Sequence, residues 1–257
     1  MTKRAWNQPR TGRRWLSLYL APASITLLAL ALYLHGLESK GLWFDELGTL
    51  TCAGWGASLA EAIRRQSTIP VIPKPPLHYL LVRLFMALGN QVFLLRLPSA
   101  LCATVNIPLA YALGRSMLDS RTGLLAATLL AVSPLHLRYA QEARMYALLT
   151  MLTLLSLYLF WRAVTSDRGR WWAGFAVVAA LALYTHFFAL LTLGVMVLFA
   201  LYLIALSPDR SRFPFRVWHL FLALASILLA FSPMLPSLVK GLLSSEGLGG
   251  TAKAGWD

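Results

Sequence analysis

Long apolar stretches recur along most of this chain and restrict the folds open to it. They lie at residues 16–34, 97–114, 123–137, 145–161, 171–186, 188–206 and 217–235. Their lengths approach the roughly 20 residues that a helix needs to cross a bilayer. Only 13% of the residues are charged, whereas a soluble domain carries about 25%. We therefore predict an all-α polytopic membrane protein with a single membrane domain over residues 1–257.

The segment 75–88 is apolar but short. It begins at Pro75-Pro76 and ends at Gly89-Asn90, two helix-boundary signals that leave about 13 helical residues, or roughly 20 Å. We interpret it as a helix lying at the membrane interface. A capping box that starts at Ser58 predicts another short helix, at 58–66. The loop 37–96 should thus carry two interfacial helices.

Charge distribution favours seven spans over eight. With 75–88 outside the bilayer, 13 of the 23 Lys and Arg residues fall on the side of the N-terminus, together with only three acids. Basic residues accumulate in cytoplasmic loops. We therefore predict a cytoplasmic N-terminus and an extracytoplasmic 37–96 loop, in what is expected to be a bacterial inner membrane.

The formal net charge of +13 comes from short basic clusters beside the apolar stretches. Clusters in that position act as topology signals and contact lipid headgroups. They predict membrane lipids, and no nucleic acid, as partners. Cys52 and Cys102 fall in a loop and in a span, and we predict that they are unpaired.

The side chains that could take part in catalysis or substrate binding lie on one predicted side of the membrane, outside the spans. These side chains are Asp45, Glu46, Lys74, Arg96, Arg138, Glu142, Arg144 and His186. The spans hold almost no charge, whereas a transporter coupled to ions usually places ionisable residues at mid-membrane. The pattern indicates an enzyme that acts on a lipid-linked substrate at the outer surface.

A carboxylate and several cations allow a transfer reaction. Asp45 can serve as the general base for a hydroxyl acceptor. Lys74, Arg96, Arg138 and Arg144 can hold a phosphate leaving group.

Other roles are open for several of these residues. Arg96 and Arg138 are equally compatible with anchoring to lipid headgroups, and Glu142 with a salt bridge to Arg138 or Arg144. His186 is also compatible with a hydrogen-bonding role in the polar tip 184–186, which lies between two predicted spans. Asp45, Glu46, His78 and His136 are alternative metal ligands, although their spacing is not diagnostic. We predict no metal and no other cofactor, with a divalent metal as the alternative.

Five motifs, in order, resemble glycosyltransferase family 39 and the dolichyl-phosphate-mannose protein mannosyltransferase-like group, which are GT-C enzymes. They lie at residues 41–46, 74–79, 95–100, 133–146 and 184–188. The resemblance implies a polyprenyl-phosphate monosaccharide donor and an active site on the extracytoplasmic face. It also implies that Asp45 is the base and that Lys74 contacts the phosphate.

The motifs extend the predicted site. Glu46 joins Asp45 as a predicted catalytic residue. The predicted substrate-binding residues are Lys74, Arg96, Arg138, Glu142, Arg144, Tyr146 and His186.

We thus expect an inverting transfer of one sugar to a hydroxyl on a lipid, glycan or protein. The chain stops soon after Pro236, where relatives in this group continue, and so resembles a truncated form of the module. That feature favours a first alternative, a non-catalytic module that binds a lipid phosphate or a partner membrane protein. The second alternative is a lipid transporter, which the charge-free spans disfavour.

Overall fold

The computed structural model describes residues 12–54, 75–89, 91–206, 212–236 and 238–239. Every regular element within these ranges is a helix, which confirms the all-α prediction. In this part of the chain the α-helices are α1 (Gly12–Leu34), α2 (Phe44–Ala53), α3 (Leu77–Met86), α4 (Val92–Met117), α5 (Ser120–Ala131), α6 (Pro134–Ala140), α7 (Tyr146–Ser166), α8 (Gly169–Leu183), α9 (Ala189–Leu206) and α10 (Val217–Phe231). A 3₁₀ turn, Ser232–Met234, follows α10.

All seven predicted apolar stretches fall on helices, but fewer of these helices are long enough to be spans by themselves. Within the described ranges, α4, α7, α9 and Val217–Met234 are long and apolar enough to cross a membrane. The pair α5 and α6 makes a fifth candidate if the two helices form one bent span. The apolar parts of α1 and α8 are shorter. A polytopic helical membrane protein is therefore confirmed, whereas the number seven stays a prediction.

The predicted stretch 123–137 is not one continuous helix. It breaks after α5, and α6 leaves at an angle of 62°. Ser133 and Pro134 cause the break: the Ser133 hydroxyl accepts the His136 N–H at 3.4 Å, and proline is preferred in the first turn of a new helix. The bend brings α6 and the segment after it beside the end of α1, where Gln141 Nε2 donates to the His35 carbonyl at 2.9 Å.

Helix α4 is central and packs against α1, α3, α5, α6 and α7. It approaches α5 closely at Gly114, where an added Cβ would lie 2.9 Å from the Gly123 Cα. Small residues of this kind allow helix backbones to come close within membranes. Buried Asn106 ties α4 to the start of α7, because its Nδ2 donates to the Ala147 carbonyl at 3.2 Å. The packed α4 and α7 thus form a fixed base for residues at their ends.

The second predicted interfacial helix is present as α3, and its position at the membrane interface stays a prediction. His78, Tyr79 and Val82 are its buried residues. Its first N–H, from Leu77, donates to the Tyr184 carbonyl at 3.0 Å, so α3 is attached to the tip that follows α8. The other predicted interfacial helix, 58–66, lies outside the described residues.

The predicted topology can be tested with single cysteines at the two ends of the bundle. Ser39 and Gly169 are both exposed, and a Cβ at Gly169 meets no atom within 4 Å. In a background with Cys52→Ala and Cys102→Ala, an impermeant thiol reagent added to intact cells should label Ser39→Cys and leave Gly169→Cys unlabelled, because only the first faces outward in the predicted topology. Equal or reversed labelling would contradict the topology.

Candidate active site

Helix α2 carries the predicted catalytic pair in its first turn. A helix N-terminus favours negative side chains because its free N–H groups and dipole are positive there. Glu46 Oε2 accepts the Trp43 N–H at 3.4 Å, and the helix ends at Gly54, which adopts the left-handed conformation with φ 67°. The two adjacent carboxylates leave the helix in different directions. Glu46 is fully buried, whereas the Asp45 side chain is 41% exposed.

Glu46 and Arg96 form a buried bidentate ion pair. Arg96 Nε donates to Glu46 Oε1 at 2.8 Å, and Arg96 Nη2 donates to Glu46 Oε2 at 2.7 Å. Glu46 Oε1 also accepts the Ala143 N–H at 2.9 Å. Burial alone would raise the pKa of Glu46, but the hydrogen bonds from Arg96 and Ala143 outweigh it and lower this pKa. We call this arrangement the Glu46 clamp: Glu46, Arg96 and the Ala143 N–H.

The remaining N–H groups of Arg96 donate to backbone carbonyls in the loop after α1. Its Nη1 donates to the carbonyls of Leu37 at 2.8 Å and Lys40 at 3.0 Å, and its Nη2 donates to that of Gly41 at 3.1 Å. All five guanidinium N–H groups thus have protein partners. This geometry argues against the predicted substrate contact of Arg96 and against the headgroup-anchor alternative, since Arg96 is 3% exposed.

The same geometry changes the interpretation of Glu46. A catalytic carboxylate must reach the proton that it removes, and Glu46 has no exposed surface. Its two oxygens accept four hydrogen bonds that join α2, α4 and the segment before α7. We therefore interpret Glu46 and Arg96 as positioning residues that hold Asp45 in place.

The Asp45 side chain is partly exposed, with Arg144 beside it. Arg144 Nη2 lies 3.6 Å from Asp45 Oδ2, and Arg144 Nη1 donates to the Asp45 carbonyl at 3.3 Å. Arg144 Nε is buried and has no hydrogen-bond partner among the described residues. One carboxylate open to solvent and one cation with an unused donor therefore lie side by side.

Aromatic side chains continue the site beyond Arg144. The Arg144 guanidinium lies 5.8 Å from the Tyr146 ring centre, and the Tyr146 ring lies 6.2 Å from His186 and 4.5 Å from Tyr139. His186 Nδ1 accepts the Phe188 N–H at 3.1 Å, which fits the alternative that His186 is a hydrogen-bonding residue at the polar tip. Burial and the nearby Arg144 charge lower the pKa of His186. The structure thus brings together four predicted residues: Asp45, Arg144, Tyr146 and His186.

Arg138 and Glu142 form a separate pair. Arg138 Nε donates to Glu142 Oε1 at 2.8 Å, which is the salt bridge considered as an alternative, and the Arg138 guanidinium lies 5.7 Å from the Trp43 ring centre. Both line a cavity of about 440 Å³ that Glu46 and Arg96 also border. The pair therefore adjoins the clamp, while no contact joins it to Asp45 in the described part of the chain.

The remaining predicted residues do not assemble a metal site. No group of three or more His, Cys, Asp or Glu residues within the described ranges is placed to hold a metal ion. His136 Nε2 lies 3.2 Å from the Ala103 carbonyl. Lys74 lies outside the described residues. His78 is buried, and both its ring nitrogens have no hydrogen-bond partner among the described residues; burial lowers its pKa to about 4.

Three features at or beside the site were not predicted from the sequence. Helix α2 was not predicted, and Tyr139 was part of a motif without being chosen. Tyr139 could have been chosen from the sequence, because it lies between Arg138 and Tyr146, two predicted substrate-binding residues of the same motif. Gln141 was likewise unassigned, although its amide secures the end of α1.

Comparison with known families identifies the family of this chain. The family described as dolichyl-phosphate-mannose-protein mannosyltransferase matches residues 73–236, well over half of the chain. The chain belongs to this family. No curated protein gives a significant match. This mannosyltransferase family is of the GT-C type, and its glycosyltransferase activity uses polyprenyl-phosphate sugar donors.

The matched region of this family member begins after Asp45 and Glu46. It contains Lys74 and all the other predicted substrate-binding residues. The structure connects the two parts through Asp45 with Arg144 and through Glu46 with Arg96. Helix α2 is therefore attached to the matched region at the candidate active site.

Proposed function

We propose that this chain transfers one sugar from a polyprenyl-phosphate monosaccharide to a hydroxyl acceptor on a lipid, glycan or protein, at the extracytoplasmic face of a bacterial inner membrane. The observation that carries the proposal is the contrast between two neighbouring carboxylates. Glu46 is fixed in the interior, whereas Asp45 is open to solvent with Arg144 at 3.6 Å. An exposed, oriented carboxylate beside a cation suits proton removal next to a phosphate leaving group.

The reaction is a single displacement. Asp45 takes the proton of the acceptor hydroxyl while the acceptor oxygen forms a bond to the anomeric carbon. The bond between that carbon and the phosphate oxygen breaks, and the polyprenyl phosphate leaves with the electron pair. Attack from the side opposite the leaving group inverts the anomeric carbon. Asp45 ends protonated and returns its proton to water.

Cations must hold the phosphate as its negative charge increases. Arg144 is the described cation beside Asp45, with its Nη2 3.6 Å from Asp45 Oδ2 and its side chain 11% exposed, and we assign a hydrogen bond from this guanidinium to a phosphate oxygen. Charge-assisted hydrogen bonds of this kind are about twice as strong as neutral ones. Lys74 would supply the second cation. It directly precedes Pro75-Pro76 and α3, and α3 packs on α2 and α4.

Tyr146 and His186 form the proposed sugar-binding surface. Their rings lie 6.2 Å apart next to Arg144, and binding sites for small ligands commonly combine aromatic walls with a few polar groups. Arg138 and Glu142 line the separate cavity of about 440 Å³ beside the clamp, and their substrate-binding role stays a prediction.

Donor consumption tests the proposed function. The purified full chain is incubated with a panel of polyprenyl-phosphate sugars and hydroxyl acceptors, and released polyprenyl phosphate is measured. We expect release with one donor class. Donor binding without release under all conditions would contradict transfer and support the alternative, a non-catalytic module that binds a lipid phosphate.

Lys74 provides a separate test of phosphate recognition. Lys74→Ala should weaken donor binding by about 1.5–3 kcal/mol, the range for a hydrogen bond to a charged group. Lys74→Arg should restore affinity only partly, since a planar guanidinium does not replace a compact ammonium. Donor affinity is measured in neutral detergent for the three proteins. Full recovery with Arg, or no change in either variant, would indicate that Lys74 is an interfacial anchor.

A further inference from the structure

A groove opens on the side of the bundle at the end opposite Asp45. Its walls are α1, α4 and the last turns of α7, and its volume is about 950 Å³. Tyr146 and Arg162 of α7 lie about 24 Å apart along the helix axis at 1.5 Å per residue. Since Tyr146 is at the candidate active site, the groove lies close to the other membrane surface. It is distinct from the cavity beside the Glu46 clamp.

Most of the groove wall is apolar and reachable from the side. Leu27 of α1 is among the lining residues and is 66% exposed. Pro22 of α1 and Pro108 of α4 also line the groove. A proline within a helix removes one backbone hydrogen bond and bends the helix. Two such prolines on facing walls are consistent with the gap between α1 and α4.

The end of the groove nearest the membrane surface is basic. Arg115 and Arg162 are lining residues, and no lining residue is acidic. Neither arginine has a carboxylate partner within the described ranges. Arg162 rests on Trp171, with its guanidinium 5.0 Å from the ring centre. Two cations therefore line the basic end of the apolar groove. This arrangement complements an anion that is attached to hydrocarbon chains.

The acids described at this end are engaged elsewhere. Asp119 caps α5 by accepting the Thr122 N–H at 2.8 Å. Asp167 lies 2.9 Å from His219 Nδ1 and 3.2 Å from Arg216 Nε. These contacts leave the charge of Arg115 and Arg162 without compensation from either acid, so an anionic ligand is favoured there.

We propose that the groove binds one anionic diacyl phospholipid from the cytoplasmic leaflet, with its headgroup phosphate between Arg115 and Arg162 and an acyl chain along Leu27 and Pro108. Anionic lipids give this leaflet a negative surface potential. The tyrosines at the groove, Tyr19, Tyr111 and Tyr158, suit a headgroup boundary, where aromatic residues with a polar end concentrate. The proposal does not rest on the sugar-transfer proposal, because the two sites lie at opposite ends.

Lipid titration of the full chain tests this site. Binding of phosphatidylglycerol and phosphatidylcholine is measured by native mass spectrometry from neutral detergent. The test variant is Arg115→Gln with Arg162→Gln. The matched control is Arg121→Gln with Arg168→Gln, which removes the same charge from exposed residues outside the groove. The test variant should bind phosphatidylglycerol about tenfold more weakly or worse, as expected for lost charge-assisted contacts. The control should keep wild-type affinity.

A second pair of variants tests the apolar part of the site without changing charge. Ala23 is exposed and lines the groove, so Ala23→Trp should fill it and reduce phosphatidylglycerol binding. Leu28→Trp is the control, because Leu28 is 72% exposed on α1 and does not line the groove. Helix content and elution volume check that each variant is folded.

Several results would overturn the proposal. Equal losses in the test and control arginine variants would show a diffuse charge effect. Equal binding of both lipids, or displacement of phosphatidylglycerol by inorganic phosphate alone, would remove the specific lipid site. Wild-type lipid binding in Ala23→Trp would leave the groove as a surface for another membrane helix.

Discussion

Asp45→Asn should lower the turnover of sugar transfer by at least ~10²-fold, the lower end for loss of a general base. The amide keeps the shape of the carboxylate but does not accept the acceptor proton. Donor affinity should be retained, because the phosphate contacts are assigned to Arg144 and Lys74. The measurement is the rate of polyprenyl phosphate release at saturating donor, together with donor affinity.

Glu38→Gln is the matched control for this variant. Glu38 lies seven residues earlier and is exposed, and it has no assigned part in the reaction. Its neutralisation should leave turnover unchanged. If Asp45→Asn turned over at a rate near that of the wild type, Asp45 would have no place in the mechanism.

Arg96→Met should destabilise the folded protein by about 3–5 kcal/mol, the cost of breaking a buried ion pair and leaving one charge uncompensated. Glu46 would remain fully buried without its bidentate partner. The loop after α1 would also lose the three contacts to the carbonyls of Leu37, Lys40 and Gly41. The free energy of unfolding in mixed detergent micelles, followed by tryptophan fluorescence, measures the change.

Two comparisons isolate the buried charge. Arg138→Gln breaks the Arg138–Glu142 pair, whose arginine is 60% exposed, and surface pairs contribute little to stability. Adding Glu46→Leu to Arg96→Met should recover part of the lost stability, because no charge then stays buried. Recovery should be incomplete, since the N–H groups of Trp43 and Ala143 lose their acceptor. Equal stability of Arg96→Met and Arg138→Gln would contradict the clamp.

The fold class was predictable because long apolar stretches have few stable alternatives to membrane helices. The break at Ser133-Pro134 was harder to place, because hydrophobicity continues across it from α5 into α6. Helix α2 was missed since Gly48, Thr49 and Thr51 are poor helix formers. Hydrogen bonds made by Glu46 to distant residues hold α2 in place, and such contacts override local propensity.

The chemical partners in the site were less predictable than its location. The sequence places Asp45 and Glu46 next to each other and supplies Arg96, Arg138 and Arg144 as candidate cations. Spacing along the chain does not tell which cation meets which carboxylate. The pairing depends on the rotation of α2 about its axis. In the structure Glu46 pairs with Arg96 in the interior, and Asp45 lies next to Arg144 with its side chain partly exposed.

The Glu46 clamp also has a consequence for biosynthesis. Glu46 is synthesised 50 residues before Arg96 and 97 residues before the Ala143 N–H. While the chain grows, the carboxylate must therefore stay hydrated until α4 has arrived and the chain has extended to the start of α7. Docking of α2 is consequently a late event in assembly. A nascent chain that stalls before Arg96 is made would expose an unpaired acid and an unpacked α2, which membrane quality-control proteases can recognise.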